Sequence, residues 1–226
     1  MNYAIIVAAG KGLRTGDTLP KQFALLNGLP VVIHSMRAFK SAVKQVEIIL
    51  VLNNEHIDHW KEILQRHDVP DHKVVFGGEQ RFNSVKNALE TIPPSEDSII
   101  AVHDAARPMI TSGMIQKLYY AARDLGAVVP GILPADSVRS GTVSNNRIVD
   151  RNNIYLIQTP QVFRCEIMKA AFQTHYLPEF TDDASVVEKM GVLIHIIEGE
   201  KENFKITFPG DHMHAEAILK QRVQNI

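Results

Sequence analysis

The feature that most constrains this chain is an alternation: short, continuously apolar runs rich in β-branched residues are separated by amphipathic stretches. The runs occupy residues 3–8, 46–52, 73–76, 98–102, 127–129 and 192–197. Helical patterns occupy 31–40, 55–67, 81–91, 112–125, 166–175, 182–190 and 211–223. A strand that is apolar on both sides must be covered on both faces, so the pattern predicts an α/β fold with a mainly parallel sheet flanked by helices. In such a sheet ligands gather beyond the carboxyl ends of the strands. The loops after Ala8, Phe76 and Val102 are therefore where chemistry is expected. With 226 residues, 45% of them apolar, the chain can bury one core without disulfides or metals, and a single domain over 1–226 is expected.

Residues 134–153 break the alternation. They are polar, carry the turn signals Ser140-Gly141 and Asn145-Asn146, and have short β-prone pieces on either side. They predict a protruding β-hairpin arm. The alternative is a long surface loop, but structureless loops of that length are uncommon in a compact domain unless functional.

Charge and cysteine content remove several classes of function. Twenty-four Lys and Arg stand against twenty-five Asp and Glu, which gives no bulk attraction to nucleic acid or to an anionic membrane. No apolar run approaches the roughly 18 residues of a membrane-spanning helix. Cys165 has no internal partner, and the opening MNYAIIVAAGKG offers neither a basic leader nor the apolar stretch of a signal peptide, so a cytoplasmic location is expected. The histidine pairs His56/His59 and His212/His214 lack the carboxylate company of a zinc-helix motif.

Three loops carry the candidate chemistry. The first reads Ala8-Ala9-Gly10-Lys11-Gly12-Leu13-Arg14-Thr15-Gly16 and runs on to Pro20-Lys21-Gln22. Its glycines let backbone N–H groups approach an anion, and Arg14 and Lys21 add charge, so the loop reads as a triphosphate cradle, with a bare glycine turn as the alternative. It is not a dinucleotide fingerprint, because TGDTLP cannot be the interior of a helix, and it lacks the Gly-Lys-Ser/Thr that ends a Walker loop. The second, Gly77-Gly78-Glu79-Gln80-Arg81-Phe82-Asn83-Ser84, joins a glycine pair to a helix start. Its backbone and the Ser84 hydroxyl suit the edge of a base, or it is a plain strand-to-helix turn. The third, Val102-His103-Asp104-Ala105-Ala106-Arg107-Pro108, puts a carboxylate at a strand end. Asp104 suits magnesium beside phosphate oxygens, or it pairs with Arg107.

Taken in order, AAGKGLR…PKQF, GGEQRFNSV, VHDAARP, DRN, QTPQVF, TDDAS and NFKIT resemble the 2-C-methyl-D-erythritol 4-phosphate cytidylyltransferase family of the non-mevalonate isoprenoid pathway, over nearly the whole chain. The resemblance implies a Rossmann-like nucleotidyltransferase fold, CTP as donor, a polyol phosphate as acceptor, magnesium, and a homodimer locked by β-arms. It implies that Ala8, Ala9, Gly10, Gly12, Arg14 and Lys21 surround the CTP phosphates and ribose. Gly78, Glu79 and Ser84 would face cytosine, and Asp104 and Ala105 the ribose and metal. Arg107, Ser137, Arg151, Thr159 and Thr181 would serve substrate binding, with Ser137 and Arg151 reaching into the neighbouring subunit. Lys205 would approach the reacting phosphate, so Arg14, Lys21 and Lys205 become the catalytic cations. Thr15, Glu79 and Ser137 replace the methionine, aspartate and threonine usual in the family. Thr181, just before Asp182-Asp183, also reads as a helix N-cap. The sister family that acts on ribitol 5-phosphate tends to show Ala-Gly-Gly, HDAVRP, VRN and SDA, where this chain has Ala8-Ala9-Gly10, HDAARP, DRN and TDDAS.

Overall fold

A computed structural model describes residues 1–10 and 20–224. In chain order its elements are β1 (Asn2–Ala8), β2 (Leu25–Leu26), β3 (Leu29–Pro30), α1 (Val31–Ala42), β4 (Val46–Leu52), α2 (Ile57–Arg66), β5 (His72–Phe76), α3 (Arg81–Glu90), β6 (Ile99–Asp104), α4 (Ser112–Leu125) and β7 (Ala127–Ile132). There follow β8 (Val138–Gly141), β9 (Asn146–Val149), β10 (Leu156–Ile157), β11 (Gln161–Arg164), α5 (Cys165–Ala171), α6 (Asp183–Glu188), β12 (His195–Glu198) and α7 (Pro209–Gln224).

The expected α/β fold is present. Strands β5, β4, β1 and β6 are parallel neighbours, with Ile5 beside Ile49 on one side and Val102 on the other. Strand β12 runs parallel to β7. Two antiparallel strands were not legible as β-structure. Strand β11 lies between β6 and β7, pairing Phe163 with Ile100 and Val162 with Val128, and β10 pairs with the end of β7. Each is too short to show a period, so pairing to the sheet, rather than local pattern, makes it a strand.

The two-sided apolar runs now have their reason. Along β1, Ala4, Ile6 and Ala8 face a core shared with α1, α2 and α4, while Tyr3 and Ile5 face a second core shared with α3, α5 and α6. Strand β4 divides the same way, Ile48 and Leu50 to the first core and Ile49 and Val51 to the second, as period-two side chains must. The terminal α7 covers a smaller cluster of Leu26, Val31, Met109, Ile206, Ala215 and Ile218. Residues 138–149 form a separate antiparallel ladder, β8 with β9, closed by Thr142 N–H to Asn145 O. Its side chains are largely exposed, Val143 and Ile148 among them. Among the described residues no helix is long and apolar enough to cross a membrane.

Candidate active site

The expected loops meet at one cleft of about 790 Å³, at the carboxyl ends of β1 and β6. Ala8, Ala9 and Gly10 line it from the end of β1; Gly12 and Arg14 lie outside the described residues. Lys21 reaches the cleft because its neighbour is tied down. The buried Gln22 donates through Nε2 to Ala8 O at 2.7 Å and Gly10 O at 3.0 Å, and Phe23 is sunk among Trp60, His56 and His59. Gln22 is a site-building residue that sequence reasoning missed, although it stands in the quoted Pro20-Lys21-Gln22 string.

Gly78, Glu79 and Ser84 form the second wall. The glycine pair is there for close approach. A Cβ on Gly77 would lie 2.5 Å from the Ala9 Cβ, and one on Gly78 would lie 2.4 Å from the Asn83 Cβ. The Ser84 hydroxyl is engaged inside the turn: it accepts from Gly78 N–H and donates to Gln80 O, both at 3.1 Å. A hydroxyl oxygen accepts twice, so one lone pair is left for a ligand donor.

Asp104 and Ala105 form the floor, and Lys205 lines the cleft as well. Asp104 is ion-paired, but not with Arg107 as one sequence reading had it. Its Oδ1 accepts from Arg81 Nε at 3.2 Å and its Oδ2 from Lys205 Nζ at 2.6 Å. Burial would raise the Asp104 carboxyl, but the Arg81 and Lys205 charges outweigh it and hold it well below the ordinary carboxylate range. Arg81 also forms a two-pronged pair with Asp183, at 2.9 and 2.8 Å. Burial pushes the Asp183 carboxyl up and the Arg81 fork works against that push. Arg81 and Asp183 were both inside quoted motifs, yet nothing in local sequence shows that they pair across 102 positions, with Arg81 bridging Asp183 to Asp104.

The remaining expected site residues do not line this cleft. Thr159 is buried directly behind the floor. Its hydroxyl oxygen accepts from Asp104 N–H at 3.0 Å and lies 3.2 Å from His103 Nδ1. The other His103 nitrogen faces Arg107 O, which can only accept, so Nε2 carries the proton and the Thr159 hydroxyl donates to Nδ1. Burial pushes this imidazole down to about 4. Arg107 turns away from Asp104 and donates to Asn203 O at 2.8 Å. Ser137 and Arg151 are exposed in the 134–153 segment, where Arg151 donates to Ala135 O. Thr181 is exposed and does not cap α6. The cap is Asp182, which accepts from Ser185 N–H at 2.9 Å and is held by Gln161 Nε2 at 2.7 Å. Thr-Asp-Asp offers three adjacent candidates, and the reciprocal bond from Asp182 N–H to Ser185 Oγ, together with Gln161, selects the second.

No cluster of three or more His, Cys, Asp or Glu suited to a metal occurs among the described residues. A strand-end cleft with a glycine-pair wall, a carboxylate floor and lysines from separate segments defines a class, the nucleotide-phosphate-binding α/β proteins.

The chain belongs to the 2-C-methyl-D-erythritol 4-phosphate cytidylyltransferase family, whose sequence pattern matches residues 2–221. A relative of that name from Bacteroides thetaiotaomicron is 44% identical over 216 residues, which is 95% of this chain and 98% of the relative. Another from Geobacillus kaustophilus is 35% identical over 99% of both chains. Among solved structures, 4-diphosphocytidyl-2C-methyl-D-erythritol synthase from Anaerococcus prevotii superposes with a TM-score of 0.81 at 27% identity, covering 97% of this chain and 98% of that one. The Francisella tularensis 2-C-methyl-D-erythritol 4-phosphate cytidylyltransferase gives a TM-score of 0.80 at 30% identity, covering 96% and 98%.

Proposed function

We propose that this chain transfers the cytidylyl group of CTP to 2-C-methyl-D-erythritol 4-phosphate, giving 4-diphosphocytidyl-2-C-methyl-D-erythritol and pyrophosphate, in the cytoplasm where a nucleoside triphosphate is at hand. The observation that carries the reading is the meeting of Lys21, Lys205 and Asp104 with the Gly78–Ser84 wall in one cleft, in a chain whose relatives bear that enzyme's name.

The chemistry needs no general base. A phosphomonoester has a second pKa near 6, so at neutral pH an acceptor phosphate oxygen is already a nucleophile. It attacks the α-phosphorus of CTP in line, the new P–O bond forms as the bond to the bridging oxygen breaks, and the electron pair leaves on pyrophosphate. The obstacle is charge, because two polyanions must meet. Lys21, Lys205 and Arg14 offset that charge, and removing one such donor typically costs about 3–4 kcal/mol of barrier.

Magnesium belongs to the same reading. A single floor carboxylate fits a cation that keeps mainly phosphate oxygens and water. Asp104 would hold it, and the ion would supply charge neutralisation at the triphosphate. Both Asp104 oxygens are otherwise in the hands of Arg81 and Lys205. The reading also includes a homodimer. Ser137 and Arg151 do not line the cleft described above, and the exposed ladder carries apolar residues, which suits an arm that completes the partner's acceptor pocket.

The test is pyrophosphate release with CTP paired with methylerythritol 4-phosphate or ribitol 5-phosphate, and with ATP or GTP replacing CTP. A purine should overfill the narrow wall at Gly78 and Ser84, so turnover should require CTP and methylerythritol 4-phosphate. Comparable rates with ATP, or with ribitol 5-phosphate, would overturn it.

A further inference from the structure

Lys205 sits on a loop outside regular secondary structure, and it is ion-paired with Asp104. What aims it is a buried polar seat. Asn203 is fully buried and donates through Nδ2 to Thr159 O at 2.9 Å and, more weakly, to Gln158 Oε1 at 3.4 Å. Gln158, also buried, grips the start of the same loop from both sides: its Nε2 donates to Glu200 O at 2.8 Å and its Oε1 accepts from Glu200 N–H at 3.3 Å. On the far side of Lys205, Ile206 N–H bonds Ala106 O at 2.8 Å, and the Ile206 side chain is buried. Lys205 is thus bracketed two residues before and one residue after by anchored positions. The contact between loop and seat leaves no spare room, since a Cβ at Gly199 would lie 2.7 Å from Gln158 Oε1.

Neither Asn203 nor Gln158 lines the cleft; Lys205, between them and the Ile206–Ala106 bond, does. A buried amide pair costs desolvation that an apolar pair of the same size would avoid. We infer that Asn203 and Gln158 are positioning residues for Lys205, fixing the loop of residues 199–206 so that the ammonium is presented at Asp104 and the cleft before substrate arrives. The inference rests on the proposed nucleotidyl transfer and deepens it. It assigns to two residues away from the reacting atoms a share of the rate that Lys205 supplies. Gln158 follows β10, in the same stretch of chain as Arg151, so the seat also ties the Lys205 loop to the segment that carries the arm.

The experiment is a double-mutant cycle of Asn203→Ala with Lys205→Ala, read by steady-state kinetics, with folding checked by circular dichroism and thermal melting. Positioning predicts that Asn203→Ala lowers kcat at least about tenfold and leaves the KM for CTP within about threefold. In the Lys205→Ala background the same change should alter kcat less than about twofold, because the group it aims is gone. Independent losses that multiply, or a folded Asn203→Ala enzyme with wild-type kcat, would overturn it. If Asn203→Ala does not fold, Gln158→Met, which removes the amide and keeps the length, takes its place in the same cycle. A second readout does not depend on the reaction. Acylation of Lys205 by an amine-reactive ester, followed by peptide mass spectrometry against the exposed Lys44, should speed up several-fold in the Asn203 variant as Nζ leaves Asp104. Unchanged labelling overturns the positioning role. A wild-type enzyme inactive with CTP and methylerythritol phosphate would instead overturn the assigned reaction, with the labelling result still deciding the seat.

Discussion

The lysines differ in how they are held, and the difference bears on what their removal does. Lys21 rides on a turn fastened by Gln22 and Phe23, and Lys205 on the seat of Gln158 and Asn203, so neither lysine head supports the core. Lys21→Ala and Lys205→Ala are expected to lose about a hundredfold or more in kcat while melting within a few degrees of wild type. Near-normal rates for either would remove it from the catalytic set. His103 is the opposite case, a buried group that does not line the cleft but makes stability depend on pH. Burial pushes its folded pKa down to about 4, against about 6.5 in an unfolded chain. Between those values the unfolded chain takes up a proton that the native ring refuses. Its contribution is complete above about pH 6.5 and declines as pH falls toward 4, by at most about 1.4 kcal/mol per unit. Urea midpoints of the nucleotide-free and metal-free protein from pH 7 to 4.5 should therefore fall less steeply in His103→Gln; equal slopes would contradict the assignment. The sequence placed His103 next to Asp104, but the Thr159 hydroxyl that fixes its tautomer comes from 56 residues away.

At the scale of elements, the site is assembled where separate pieces are cross-linked. Arg81 stands at the start of α3 and holds both the floor of the site at the end of β6 and the first residue of α6. Asp183 is 1% exposed, so removing Arg81 leaves a buried carboxylate without its fork. Breaking a buried pair from one side costs roughly 3–5 kcal/mol. Arg81→Ala should lower unfolding free energy by about that much, measured in urea, and the Arg81→Ala/Asp183→Ala double variant should recover part of the loss. Additive losses would show that the pair does not act as a unit. Such cross-links are the part of the site that sequence conceals. The glycine pair, Lys21, Asp104 and Lys205 were legible because their residue types and order match a family pattern. Thr159 was legible only as a motif position, and its place behind Asp104, rather than in the cleft, follows from the path of β11 between β6 and β7.

For the whole molecule, the segment 134–153 makes sense on the proposed two-fold dimer, where an isologous interface places each arm at the partner's site. If Arg151 acts in the partner's pocket, Lys21→Ala and Arg151→Ala chains refolded together should rescue each other. Each mixed dimer then has one doubly damaged site and one intact site, so activity returns to about a quarter of wild type. Recovery no greater than that of the separate variants, with subunit exchange confirmed, would place Arg151 in cis or give it a role in the hairpin alone. The alternation of apolar runs and amphipathic helices was enough to indicate a mainly parallel sheet covered on both faces, because period-two side chains on β1 and β4 are buried on both sides. The motif order was likewise enough to determine the family. Tertiary structure alone decided that β11 enters the sheet antiparallel, that Asp182 rather than Thr181 caps α6, and that Asp104 answers to Arg81 and Lys205 rather than to Arg107. The reason is physical. Periodicity and propensity act over a few neighbouring residues, whereas a buried charge or amide takes whichever partner the fold brings within about 3 Å, at any separation along the chain.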